Sequence, residues 1–529
     1  MIRKLLATTL LAAGLLQAVA VQAETVRWAR AADPATLDPH AVNTGTNFNL
    51  LHQIYEPLII RTDDGKLQGA IATSWALTSD PTVWEFKLRP GVKFHDGTLL
   101  TADDVVFSLR RAQAPTSQLK SLLSSVDTVT KVDPLTVRVK TKGPNLIFPN
   151  NLTNLFILSE AWARANKAEA SQDVTSKTEN FATRNVNGTG PYTLVSREVD
   201  TRTVLRQFPQ YWGRGQFPLQ VTELVYLPIK SPATRVAALL SGEVDFLQDL
   251  PAQDVARLKA DNRLRITEGP ENRSIFLGLN VGAKELKYGD VKGKNPLADP
   301  KVREAMGLAI DRDAIKTAVM RGQSIPSGII APRFVNGYEK AFAAYPKPNV
   351  AQAKKLLADA GYPNGFGLTL HTPNDRYVND EAISTAISGF LGRIGIKTTV
   401  VARPIALHSV AIQQADTDFY LFGWGVPTYD SAYVFDYLVH TRGKDGRGPT
   451  NATGYSNPDI DAKIVSLASE SDKARRDATI KAIWQTVQQE RFYIPIHDQV
   501  LTYASNPKLD IPVSPENTPY FKFVKVAKK

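Results

Sequence analysis

The stretch FHDGTLLTADDV, residues 94–105, places His95, Asp96, Asp103 and Asp104 within ten residues. An imidazole beside three carboxylates could ligate a metal or move protons. The local pattern gives each acidic group another task. Asp96-Gly97 lies between two strand-like runs, where it supplies the positive φ of a tight turn. Thr101 followed three residues later by Asp104 reads as a capping box opening the helix ADDVVFSLRRA. Asp103 and Asp104 also suit the positive end of that helix. A metal would have to draw its ligands from a turn and a cap at once, so the stretch is read as architecture. The other patterns are weaker. The seven histidines are dispersed, at 40, 52, 95, 371, 408, 440 and 497, with no HExxH spacing. No GxSxG elbow occurs. Ser117-Gln118-Leu119-Lys120 fits SxxK without the partner motifs. The run from Gly289 to Lys294 is one residue short of a phosphate loop and lacks its Ser or Thr. A carboxylate pair assembled only by folding stays open.

A second constellation follows the strand-like run Phe419-Tyr420-Leu421-Phe422. Residues 422–433 read FGWGVPTYDSAY, a loop by its glycines and proline. It carries Trp424, Tyr429 and Tyr433 with the single carboxylate Asp430. Aromatic faces beside one charge suit a pocket for an organic, cationic ligand. The same residues equally suit core packing, with Asp430 capping a turn.

The elements that position these groups alternate irregularly, which indicates a mixed α/β chain. Residues 83–88 and 136–140 alternate as half-buried strands, 92–94 resume the first after a turn, and 80–140 form a β-rich unit. Asp299 and Pro300 open a helix as N-cap and first residue. Asp311 caps the next, which Gly322 ends. Asn349 opens another, closed by Gly361. Strand 367–370, helix 381–391 and strand 397–401 make a βαβ unit. At 529 residues, two or three domains are expected. Residues 1–23, with Arg3, Lys4, an apolar run and Val21-Gln22-Ala23, read as a secretory signal peptide. The absence of cysteine excludes disulfides, thiolate metal sites and a cysteine-linked lipid anchor. A free periplasmic protein is therefore expected. The formal charge is +11, and 61 basic against 52 acidic residues remain once the leader is removed. The basic residues are scattered, so no nucleic-acid partner is expected.

Several segments together resemble the family 5 extracellular solute-binding proteins of ABC transporters, the peptide-, nickel- and opine-binding receptors. VKFHDGTLLTADDVVFSL resembles the family signature. Leu37-Asp38-Pro39 with Tyr55-Glu56-Pro57-Leu58, Asn187-Gly188-Thr189-Gly190-Pro191-Tyr192, residues 237–245, residues 299–315 and Gly454-Tyr455-Ser456-Asn457-Pro458 follow in the family's order. The resemblance implies an α/β protein of two discontinuous lobes joined by two hinge strands, with a ligand enclosed between them. Lobe I would comprise 24–68, 188–280 and 500–529, with a β-rich subdomain at 69–187; lobe II would be 281–499. It implies a monomeric receptor, without cofactor or catalysis, that delivers a peptide or peptide-like solute to an inner-membrane ABC permease. Closure around ligand is what the permease would recognise.

The likeness also implies a site. Dipeptide binders hold the peptide amine with an aspartate three to four residues after Gly-Trp. Pro427 stands there, and Asp430 is the candidate substitute. Arg376 lies near the place of the arginine that grips the peptide carboxylate, although Asp375 aligns with it, and a surface loop charge is its other reading. Asn43, Thr44, Gly45 and Thr46 resemble the contact loop of the first lobe. Trp424, Tyr429 and Tyr433 would be walls. The nickel branch has a histidine where Ala432 stands, with His408 and His440 as the available replacements. An opine-type conjugate or nickel chelate is the alternative cargo. A secreted hydrolase is the alternative from another class.

Overall fold

The computed structural model describes residues 24–174, 176, 178–443 and 446–527. The expected leader, 1–23, lies outside them. The fold is organised by two long antiparallel strands, Arg265–Leu279 and Tyr493–Ser505. Their first stretch pairs Arg265 with Ser505 through Pro270 with Val500; their second pairs Ser274 with Asp498 through Gly278 with Tyr493. Between the two the register shifts. On one side of this break, Tyr493–Ser505 pairs with Phe246–Leu247, and the sheet continues through Thr25–Arg30, Glu223–Pro228, Arg202–Gln207 and Tyr192–Glu198. On the other side, Arg265–Leu279 pairs with Phe419–Trp424, followed by Gly367–Pro373 and Lys397–Arg403. The strand therefore crosses between half-sheets at 270–274, inside an unbroken extended run, whereas the boundary expected from sequence lies at 280.

Side-chain alternation explains the packing of the second half. Ile275, Leu277 and Leu279 enter one buried cluster together with Phe419 and Leu421. Phe276, Tyr420 and Phe422, pointing the other way, enter a second. A central strand buried on both faces reads as a continuous apolar run for this reason. Each fully buried large apolar side chain stabilises the fold by about 1.5–3 kcal/mol.

In the first half, a separate four-stranded antiparallel sheet has the order Ala72–Leu77, Val83–Leu88, Thr136–Thr141, Val126–Asp133. Its Trp84, Phe86 and Val137 belong to the same core as Trp28, Phe246 and Tyr503 of the main sheet. The β-rich unit is thus joined to the first half by shared burial.

The opening stretch is built as turn and cap. Gly97 has φ +90°, in the left-handed region that favours glycine. Thr101 Oγ1 accepts from Asp103 N, and Asp104 accepts from Thr101 N at 2.9 Å, opening helix Ala102–Gln113. The other Asp104 oxygen accepts from Glu160 N. His95 is turned inward, bonded to Gly190 O at 3.1 Å, and burial pulls its pKa down to about 4. Residues 92–94 form only a single bridge, Lys93 with Leu99, not a strand. Ser117 and Lys120 do not meet: Ser117 Oγ donates to His40 O and Lys120 Nζ to Pro115 O.

Candidate functional site

Two cavities adjoin the 424–433 loop. The smaller, about 240 Å³, is lined by Arg273, Arg376, Tyr377, Phe422, Trp424 and Tyr433 among others. Strand Phe419–Trp424 delivers Trp424, because Trp424 pairs with Ser274 at the end of the ladder. Asn272, at the strand crossing, fixes the loop beyond it: its Nδ2 donates to Val426 O at 2.8 Å and its Oδ1 accepts from Val426 N. Trp424 stacks on Tyr433 (centroids 5.7 Å apart), and Tyr433 on Tyr437 (4.5 Å). Such offset pairs add about 0.5–1.5 kcal/mol beyond burial. The Trp424 Nε1–H has no hydrogen-bond partner among the described residues.

Two guanidiniums flank Tyr377 in this cavity. Arg273 Cζ lies 5.9 Å and Arg376 Cζ 5.8 Å from its ring centroid. Arg273 uses Nε on Glu271, at 3.0 Å, and Glu271 also accepts from Gln499. Arg376 has no carboxylate partner for its guanidinium among the described residues. Desolvation, and next the like charge of Arg273, hold the Arg376 pKa below its usual value. A carboxylate placed between the two would relieve that repulsion and form charge-assisted hydrogen bonds. Arg376, named from the sequence, is exposed at the rim of this cavity, and Arg273 and Tyr377 beside it had not been named. The signal for Arg273 was the charged run Glu271-Asn272-Arg273 interrupting a strand just before its apolar half.

The larger cavity, about 490 Å³, lies between the two halves. Arg61, Leu67 and Asn150 line it from the first, and Phe334, Tyr429, Asp430 and Lys473 from the second. Arg61 sits 3.5 Å over the Tyr429 ring and bonds Glu516, Gly65 O and Asn150. Tyr429 has φ +52°, a strained conformation for an aromatic residue. It is held there by the bond from Asn336 N to Tyr429 O.

The structure changes the reading of Asp430. Its carboxylate receives both outer nitrogens of Arg476, at 2.7 and 2.8 Å, together with Asn336 Nδ2 and Ala432 N. The pair is buried, with side chains 6% and 4% exposed. The charge expected to meet a ligand cation is therefore already compensated, and Asp430 instead caps helix Ser431–Val434. Residues 43–46 also differ from expectation. Asn43, Thr44 and Gly45 are exposed at the start of helix Gly45–Ile54, and the loop lines neither cavity. His408 and His440 hold the carbonyls of Leu421 and Thr441. No group of three or more His, Asp or Glu side chains suited to a metal occurs among the described residues.

Comparison with known proteins places this architecture. The family model "Bacterial extracellular solute-binding proteins, family 5 Middle" matches residues 66–446. The glutathione-binding protein GsiB of Pectobacterium atrosepticum is 26% identical over 484 residues, covering 90% of this chain and 88% of that one. GsiB of Escherichia coli O157:H7 is 27% identical over 509 residues, covering 94% of each. Among solved structures, HbpA2 of Haemophilus parasuis superposes with a TM-score of 0.80 at 24% identity, over 96% of this chain and all of that one. The open, unliganded murein tripeptide binding protein MppA gives 0.78 at 22% identity, over 96% and 98%. The overall fold is thus shared with these structures, and the chain belongs to the family 5 bacterial extracellular solute-binding proteins.

Proposed function

We propose that this chain is the periplasmic receptor of an ABC importer and that it captures a peptide-like solute carrying at least one carboxylate. The lobes would part at 270–274 and 498–500, where the two long strands change register. The observation that carries the ligand class is the Arg273–Arg376 pair around Tyr377, where, among the described residues, Arg376 has no carboxylate partner and Arg273 engages Glu271 through Nε alone. Trp424 and Tyr433 would form the apolar wall, and Trp424 Nε1–H would donate to the ligand. The names of relatives agree with this class: glutathione for GsiB and a murein tripeptide for MppA. Both are organic solutes that bear carboxylates.

The test is native mass spectrometry of protein taken gently from its own periplasm, followed by release of the bound species. A released peptide or amino-acid conjugate, recovered intact, is the expected result. Calorimetry with that species, and with glutathione as a defined probe, should then give affinities that fall at least tenfold in Arg376→Ala and in Arg273→Ala, consistent with loss of about 1.5–3 kcal/mol from a charged hydrogen bond. Unchanged affinity in both variants would overturn this assignment. Cleavage of the released peptide on incubation with the protein would favour a hydrolase instead.

A further inference from the structure

A further cavity, about 530 Å³, shares no lining residue with the two cleft cavities and is lined wholly by residues of the second half. It is framed by helix Pro300–Ala309, helix Lys473–Glu490 and the start of strand Tyr493–Ser505. Leu308, Ile330, Trp484 and Val487 give it apolar walls, and none of the ligand-site residues described above contributes to it. Its volume falls in the range of small-molecule pockets.

At its edge stands Arg312, only 4% exposed. Its Nε donates to Pro495 O at 2.8 Å and Nη1 reaches Gly307 O at 3.5 Å; Nη2 has no hydrogen-bond partner among the described residues. No carboxylate pairs with it among the described residues, and its Cζ lies 5.6 Å from the Tyr345 ring centroid. The adjacent Asp313 is held by Tyr345 Oη and Lys347 Nζ, each at 2.7 Å. Burial pulls the Arg312 pKa down to about 10, so the group is charged at neutral pH. The other charges at the wall, Arg491 and Glu304, approach each other at 3.4 Å and offset one another. One net positive charge is left at the wall of a chamber of mixed polar and apolar lining. A buried guanidinium without a counter-ion is costly, and a bound carboxylate would compensate it.

We infer that this cavity is a second ligand site, separate from the cleft, for a small amphipathic carboxylate whose acid group pairs with Arg312 and whose apolar body packs on Leu308, Ile330 and Trp484. The site would add to cargo capture a means of sensing a second small molecule on the same lobe.

The probe is 3-phenylpropionate, with its neutral amide as control, titrated into the full-length mature protein by calorimetry at pH 7. The acid should bind at least about tenfold more tightly than the amide, as charge-assisted pairing requires. Arg312→Gln should erase that preference. Ala344→Trp, at an exposed residue of the wall, should block both probes and keeps the test decisive if Arg312→Gln fails to fold. Trp424→Ala, which weakens the cleft for its own ligand, should leave the acid-over-amide preference at this second cavity intact. Equal binding of acid and amide, no binding of either by about 10 mM, an unaffected Ala344→Trp variant, or loss of that preference in Trp424→Ala would each overturn the proposal.

Discussion

Asp430 illustrates how a residue's chemistry is decided by what lies 46 positions away. The sequence presents a lone carboxylate in an aromatic loop, and both of its plausible uses, ligand anchor and turn cap, fit that local view. Arg476, on helix Lys473–Glu490, decides between them by neutralising it. Removing one member of a buried pair leaves the other charge uncompensated, so Asp430→Ala should lower unfolding free energy by about 3–5 kcal/mol. Replacing both partners, as in Asp430→Ala with Arg476→Met, should be clearly less damaging than Asp430→Ala alone. Urea denaturation of the two variants checks this; equal losses would mean that the ion pair is not what makes Asp430 necessary. Trp424 behaves differently. It is half-buried, stacked on Tyr433, and its Nε1–H is without a partner among the described residues. Trp424→Ala should therefore weaken ligand binding by tenfold or more, through lost stacking and one lost donor, while Tm moves by only a few degrees. A large fall in Tm with affinity intact would make Trp424 a packing residue.

Among elements, the short-range ones were readable in the sequence. The capping box at Thr101, the Asp299–Pro300 start and the strand 367–370, helix 381–391, strand 397–401 unit all appear, the last as Gly367–Pro373, Asp380–Gly392 and Lys397–Arg403. Caps and periodicity are local signals and survive in any tertiary setting. The strand crossing was not readable, because Arg265–Leu279 stays extended while only its neighbours change. Asp498 sits at this crossing, buried, with Ser274 Oγ donating to it at 2.5 Å. Burial pushes its pKa up to about 7, against an unfolded value near 3.9. Between those values the folded state binds the extra proton, so stability from this group is present at low pH and declines as pH rises from about 4 through 7. Asp498→Asn abolishes that titration. Its Tm relative to the parent protein should therefore rise between pH 5 and pH 8; a pH-independent difference would show that Asp498 does not titrate in this range.

On the scale of the whole molecule, the two halves meet through Arg61 over Tyr429, with Gly65 packed beside Phe334 and Tyr429. This is a contact that exists only while the halves are together. A buried cation–π pair is worth about 1–2 kcal/mol. Tyr429→Leu should thus shift the equilibrium towards an open form and weaken ligand binding about fivefold or more, because affinity is reduced by the fraction of competent molecules. Small-angle scattering should give the variant a larger radius of gyration than the parent in the presence of ligand; identical radii and affinities would remove the contact from the closing mechanism. The sequence alone determined the fold class and the family, because ordered local motifs, each a turn, cap or strand, run through most of the chain. It also identified Arg376 and Trp424 as residues worth watching. Only the tertiary structure decided that Arg273 joins Arg376 at Tyr377, that Asp430 belongs to Arg476, and that Arg61 reaches Tyr429 across the halves. These partners are separated by 46 to 368 positions and by several strand crossings. Which charges meet across such distances follows from sheet register and side-chain burial, and neither is encoded in the spacing of the residues themselves.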